Sequence, residues 1–145
     1  MTLKLKVVNK NEFEGKIDLK IKNVLANLKK TVRVSANEVR NVAITSINQN
    51  PRAGDTVTRY NPKRTIRISK EGDPPASDTG FLSSNIHLIV DADQLGASVE
   101  SRAKYSEALE FGTRHMQARP FLQPALEQGR RKYKEMFKKA VKDGI

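Results

Sequence analysis

The chain has 145 residues, with 27 Lys and Arg against 16 Asp and Glu (a formal charge of +11); 37% of residues are hydrophobic and 30% charged. That length supports one domain, residues 1–145, with a real core at the polar end of globular composition. The absence of cysteine excludes a disulfide scaffold, a thiolate metal site and a cysteine nucleophile, and apolar runs such as Leu88–Val90 are too short to span a bilayer.

In chain order, residues 2–8 alternate Leu3, Leu5 and Val7 with Lys4 and Lys6, which predicts a short strand rather than the apolar block of a signal peptide. From Ile17 the period becomes helical: Ile17, Ile21, Val24, Leu25, Leu28 and Val32, then Ala36, Val39, Val42, Ala43 and Ile47. Steps of three and four put one apolar stripe along a long helix, with a candidate break near Thr31–Ser35. Pro51 ends it, because the residue before a proline disfavours the helical conformation. Residues 50–77 hold Pro51, Gly54, Pro62, Gly72, Pro74 and Pro75 with little apolar material, and read as a long loop with an extended piece at Thr65–Ser69. Loops of this length in a compact domain are uncommon, and those that occur are commonly functional or ordered only on binding.

Asp78 or Thr79 can cap a helical turn through Phe81, Leu82 and Ser83. Ile86, Leu88 and Val90 then alternate with His87 and Ile89, and Ala97, Val99 and Ser101 with Ser98, Glu100 and Arg102, a candidate antiparallel hairpin. Tyr105, Ala108 and Leu109 have helical spacing, and Gly112 sits where a helix-ending left-handed residue is expected. The stripe Leu122, Leu126, Tyr133, Met136, Phe137, Ala140 and Val141 predicts an amphipathic C-terminal helix, with Pro120 and Pro124 in its approach or first turn. The expected class is α+β: a long N-terminal and a C-terminal helix packed on a small antiparallel sheet.

The charge is segregated. Residues 1–30 are net +5 and residues 51–70 also +5, the latter through Arg52, Arg59, Lys63, Arg64, Arg67 and Lys70 against Asp55. Residues 71–113 are net −6 and residues 127–145 net +4. Basic flanks around an acidic middle can attract nucleic acid, or can pair one copy's flank with another's middle. The plain alternative is solvated faces that confer solubility.

Catalytic constellations are scarce. His87 and His115 belong to no metal-spaced pair, so ordinary structural histidines are expected. Glu107 and Glu110 can share a helix face, and Ser83-Ser84 stand near His87, but without the strand–turn–helix setting of an activated serine. No phosphate-binding loop occurs. An enzyme, a cofactor and a metal are therefore not expected. Arg130, Lys134 and Lys138 on one helix face, with the basic loop around Tyr60, are suited to phosphates but not to reading bases.

Two stretches are more specific than charge: Asp78-Thr79-Gly80-Phe81-Leu82-Ser83-Ser84-Asn85-Ile86, and Tyr105-Ser106-Glu107-Ala108-Leu109-Glu110-Phe111-Gly112-Thr113 followed by Arg119-Pro120-Phe121-Leu122 and Pro124-Ala125. Together they resemble the bacteriophage head–tail joining family, described as tail components or as neck and tail-completion proteins of long-tailed phages. The likeness is close over residues 78–126 and extends in order and length to the whole chain. Asn85 stands where relatives often have Ser, and the basic loop is longer than a minimal member needs. The resemblance implies a structural virion protein, made in the bacterial host cytoplasm and residing at the head–tail junction. Its implied form is a ring, a homo-oligomer that is sixfold (a hexamer) in the virion to match the tail, and a loop that orders only on docking would leave the free subunit monomeric. Implied partners are head-completion or adaptor proteins and tail-tube or tail-terminator proteins, with transient contact to DNA in the channel and no membrane. A tail-terminator ring and a nonspecific DNA-binding protein are the alternatives.

The motif residues have expected structural roles. Phe111 is expected to bury against the sheet while Gly112 reverses the chain; Pro120 presets the last helix, and Phe121 and Leu122 anchor it. Glu110 and Arg119 are a candidate ion pair across that corner. The six cations of the loop are the candidate interface.

Overall fold

A computed structural model describes residues 10–145, so the strand expected over residues 2–8 lies outside the described residues. The class is α+β, as the periodicities predict. Helix α1 runs Lys10–Asn48, followed by strands β1 (Thr56–Tyr60) and β2 (Lys63–Arg67), the turn α2 (Phe81–Ser84), strands β3 (Ile86–Val90) and β4 (Ala97–Ser101), helix α3 (Ser106–Phe111) and helix α4 (Leu122–Lys142).

Helix α1 is continuous over 39 residues, about 58 Å at the usual rise. No break occurs at Thr31–Ser35. The Thr31 hydroxyl donates to the Asn27 carbonyl at 2.9 Å, and Ser35 Oγ donates to Thr31 O at 2.8 Å and Val32 O at 3.1 Å. The polar side chains that weaken the helical pattern there are thus satisfied by the helix itself.

Helix α4 runs antiparallel to α1. Lys132 Nζ donates to Glu38 Oε1 at 2.5 Å near one end, and Asn27 Nδ2 to the Ala140 carbonyl at 3.3 Å near the other. Hydrogen bonding to Glu38 raises the Lys132 pKa above its ordinary value. The β3–β4 sheet, which pairs Ile86 with Ser101 through Val90 with Ala97, packs on α1 beside α4. Arg40 Nε ties α1 to the start of β3 through the Ile86 carbonyl at 2.9 Å. The core lies where these elements meet: Val39, Ala43 and Ile47 of α1, Leu82, Ile86, Ala103, Phe121, Ala125 and Tyr133.

Residues 50–77 are more ordered than a plain loop. They carry the hairpin β1–β2, which joins the expected extended piece at Thr65–Ser69 to a partner strand; Thr56 pairs with Arg67 and Tyr60 with Lys63 across a two-residue turn whose Asn61–Pro62 bond is cis. Gly54 N to Ile68 O and Ile68 N to Asp55 O, both 2.9 Å, extend the ladder. Ser77 N to Ile47 O at 3.0 Å and Asn50 Nδ2 to Pro74 O at 2.8 Å fasten its base to the end of α1. A two-stranded hairpin that leaves one face to solvent needs few apolar residues, so its sequence resembles a loop.

One packing detail yields a test. Gly129 lies inside α4, and a Cβ there would approach Tyr133 Cζ to 2.1 Å. Helix propensity alone favours Gly129→Ala by about 1 kcal/mol. Displacing the buried Tyr133 ring outweighs that gain, so the variant is expected to lose about 1–3 kcal/mol in a urea melt. A stabilised variant would show that the ring yields without cost.

Candidate docking surfaces

The two halves of the sequence signature meet at the start of α4. Glu110 is buried, at 8% exposure, and its carboxylate accepts three backbone donors: Phe121 N at 2.8 Å and Leu122 N at 3.0 Å on Oε2, and Gln123 N at 2.8 Å on Oε1. These belong to the unpaired amides that open every α-helix, and the next residue, Pro124, has no amide hydrogen to satisfy. A negative charge also complements the positive end of the helix dipole. Glu110 is therefore the cap of α4, supplied from 11 residues upstream in α3.

This corrects two expectations about that corner. Glu110 forms no ion pair with Arg119 among the described residues; Arg119 is buried, its backbone N donates to Leu109 O at 2.6 Å, and its Nε has no hydrogen-bond partner. Phe111 is not buried against the sheet but is 74% exposed. The helical phase of α3 explains the exchange, because adjacent positions lie about 100° apart and turning Glu110 inward swings Phe111 outward. Gly112 follows at φ 76° and ψ 179°, a region open in practice only to glycine, where a Cβ would meet Ala118 N and Met116 O at 2.9 Å. Thr113 N then donates to Met116 O at 2.8 Å, closing the corner before Pro120, while Phe121 is only 1% exposed and Leu122 half-buried.

At the other motif, Gly80 at φ 78° is the N-cap of α2, and Thr79 Oγ1 accepts the Phe81 amide at a long 3.4 Å. Leu82 is buried. Ser83 and Ser84 hydroxyls donate to the Gly80 and Phe81 carbonyls, so neither is linked to His87. Tyr105 stacks obliquely near Phe81, ring centroids 6.4 Å apart; burial, aided by Asp78, pushes its pKa up and keeps the phenol neutral.

The six candidate interface cations are not one cluster. In the hairpin, Lys63 and Arg67 share the outward face with Tyr60, which is 79% exposed. Arg59 and Arg64 share the opposite face with half-buried Val57 and Ile66, and turn toward the body of the protein. There Arg64 donates to Asp78 at 2.9 Å, one basic-to-acidic contact of the expected kind, made within the chain. Arg52 donates to the Ser77 carbonyl, and Lys70 is exposed beyond β2. On α4, Arg130 pairs with Glu127 and Lys138 with Glu135, which lightens that helix's basic face.

Two concave surfaces border this framework. One, about 610 Å³, lies between the hairpin and α2–α3 and includes Arg59, Tyr105 and Arg119. The other is an apolar groove of about 870 Å³, floored by Val32 and Val39 of α1 and walled by Val99 of β4 and Leu122 and Leu126 of α4, with Phe111 at its edge. Exposed apolar side chains also run along the free end of α1, at Phe13, Ile17, Ile21 and Leu25.

In the sequence the apolar stripe of α1 is one continuous face, in which Ile17–Leu25 does not differ from the part that meets the core. The available signal was length: the α1 stripe is longer than the α4 stripe, so one end of it has no helix opposite.

Among the described residues no group of three or more His, Asp or Glu side chains is placed to hold a metal, and no helix is long and apolar enough to cross a membrane. Comparison with protein-family models, curated proteins and solved structures gives no match.

Proposed function

We propose that this chain is a non-enzymatic structural protein of a phage virion, a ring subunit at the head–tail junction that completes the tail or joins it to the head. The observation that carries this reading is the Glu110 cap. The most specific sequence feature, Glu-Phe-Gly-Thr followed by Arg-Pro-Phe-Leu, places its carboxylate on the amides of α4 and Phe121 in the core, so the signature builds a scaffold. Specificity then falls to the surfaces, namely the basic hairpin and the apolar faces. In a closed ring each subunit offers two different patches, which suits a chain with segregated charge. The neighbours in this reading are head-completion or adaptor proteins and tail-tube or tail-terminator proteins.

The test is reversal of Arg64 and Arg67 to Glu. The Arg64–Asp78 pair is exposed and worth less than about 1 kcal/mol, so the monomer stays folded. Joining of heads to tails is expected to fail; infectious particles at the normal yield would exclude the hairpin as the interface. Electron microscopy of virions labelled on this chain locates it at the junction or excludes it from there.

One observation favours DNA contact as a second reading: Lys63, Arg67 and exposed Tyr60 share an outward face suited to phosphates and a stacked base. A DNA titration at two salt concentrations separates the readings, because a dedicated DNA binder shows tight, sequence-independent binding with a steep salt slope.

A further inference from the structure

Helix α1 outruns its partner. Gly144, just past the end of α4, packs against Val24, so the part of α1 before that level projects as an arm with no element opposite it among the described residues. Phe13, Ile17 and Ile21 along this arm and Leu25 at its base recur every four residues, 58%, 41%, 52% and 39% exposed. A stripe of this kind on a helix is normally covered. The same chain holds an uncovered apolar groove between α4 and β4, and α1 itself is its floor at Val32 and Val39. Because α1 is one unbroken helix, arm and groove stay about 25 Å apart along its axis, and no chain can fill its own groove.

We infer that the arm of one copy docks in the groove of the next. This rests on the ring reading and supplies its subunit contact: one surface from each copy, different from each other, so the contact repeats head to tail. Charge complements this pairing. Over Phe13–Leu25 the arm carries Lys16, Lys20 and Lys22 against Glu14 and Asp18, with Lys16 paired to Glu12, so its net charge is weakly positive. The groove is the more acidic surface: Glu107 is exposed and Asp93 lies next to Leu95 at its rim, while Glu100 is paired with Arg102 and the lining Arg130 with Glu127. One contact of this kind covers both apolar surfaces and sets lysines among carboxylates.

The natural absence of cysteine makes the test free of background. Ile21→Cys is placed on the arm, and Leu126→Cys or Leu95→Cys on opposite walls of the groove; all three positions are 43% exposed or more. The purified full-length chain is concentrated and treated with a short bifunctional maleimide, which traps even a minor associated fraction. The double variant I21C/L126C or I21C/L95C is expected to give a ladder of covalent oligomers. Mixed single variants are expected to give heterodimers only, because each copy then carries one half of the contact. Adding Ile17→Asp, on an exposed arm position that leaves the domain folded by circular dichroism, is expected to reduce trapping at least tenfold.

Dimers from I21C alone would show arm-to-arm pairing and overturn the inference. Oligomers by sedimentation that neither groove cysteine traps would also overturn it, while leaving the ring reading in place. A chain that remains monomeric and untrapped at every concentration overturns the contact as well. Absence of the protein from the virion junction, by contrast, is the failure of the ring reading.

Discussion

Glu110→Ala is expected to destabilise the domain by about 3–5 kcal/mol, seen as a large drop in the urea midpoint with little change in slope. The carboxylate is the only side chain holding the amides of Phe121, Leu122 and Gln123 among the described hydrogen bonds. Removing it strands three donors at the start of a 21-residue helix, in a position where water reaches them poorly. Each stranded donor costs about 1–3 kcal/mol, and loss of a single ordinary cap about 1 kcal/mol. Glu110→Gln keeps the shape and one acceptor oxygen but turns an amide NH2 toward a backbone N–H, so an intermediate loss of about 2 kcal/mol is expected. A loss under about 1 kcal/mol in the alanine variant would mean that solvent substitutes for the cap.

Phe121→Ala is expected to cost about 3–5 kcal/mol. Phe121 is the largest side chain among the fully buried residues, at 1% exposure, and it packs where α1, the β3–β4 region and α4 converge. Its removal leaves a cavity among Ile47, Ile86 and Ala125, elements too constrained by their hydrogen bonds to collapse into it. Typical domains hold about 5–15 kcal/mol in total, so this variant loses a large fraction of the stability and its urea midpoint falls accordingly. A change below about 1 kcal/mol would contradict the burial. Phe111→Ala, one residue past the cap but 74% exposed, is the matched control and should leave stability almost unchanged.

The contrast between Phe111 and Phe121 marks how far sequence reading reaches. Both are aromatic, both sit in the signature, and both were expected in the core. Which of Glu110 and Phe111 faces inward depends on the phase of a short helix, and six residues are too few for the apolar period to reveal it. The same limit applies to the cations of the hairpin. Their number and sign are plain in the sequence, but whether Arg64 meets solvent or Asp78 depends on strand pairing, which also divides Arg59 and Arg64 from Lys63 and Arg67. The sequence reads the hairpin only as an extended piece, because its inward face mixes Val57 and Ile66 with Arg59 and Arg64, so neither strand shows the apolar–polar alternation that identifies one.

The list of elements and the charge they carry are legible from local stretches of chain. Helical spacing from Ile17 to Ile47 and from Leu122 to Val141, period-two alternation at Ile86–Val90 and Ala97–Ser101, and Pro and Gly at the boundaries are local signals, set by backbone geometry one turn or one pleat at a time. The tertiary structure decided which of those surfaces are used up. The apolar stripe of α1 is uniform along the chain, but α4 covers only the part beyond Val24, leaving an arm and a groove that no local pattern distinguishes from core. The +11 charge was likewise legible as three basic regions around an acidic middle, yet three of the middle's carboxylates are engaged internally, Asp78 by Arg64, Glu100 by Arg102 and Glu110 by the amides of α4. Burial and pairing depend on what lies opposite in space, and that is fixed only when distant segments pack.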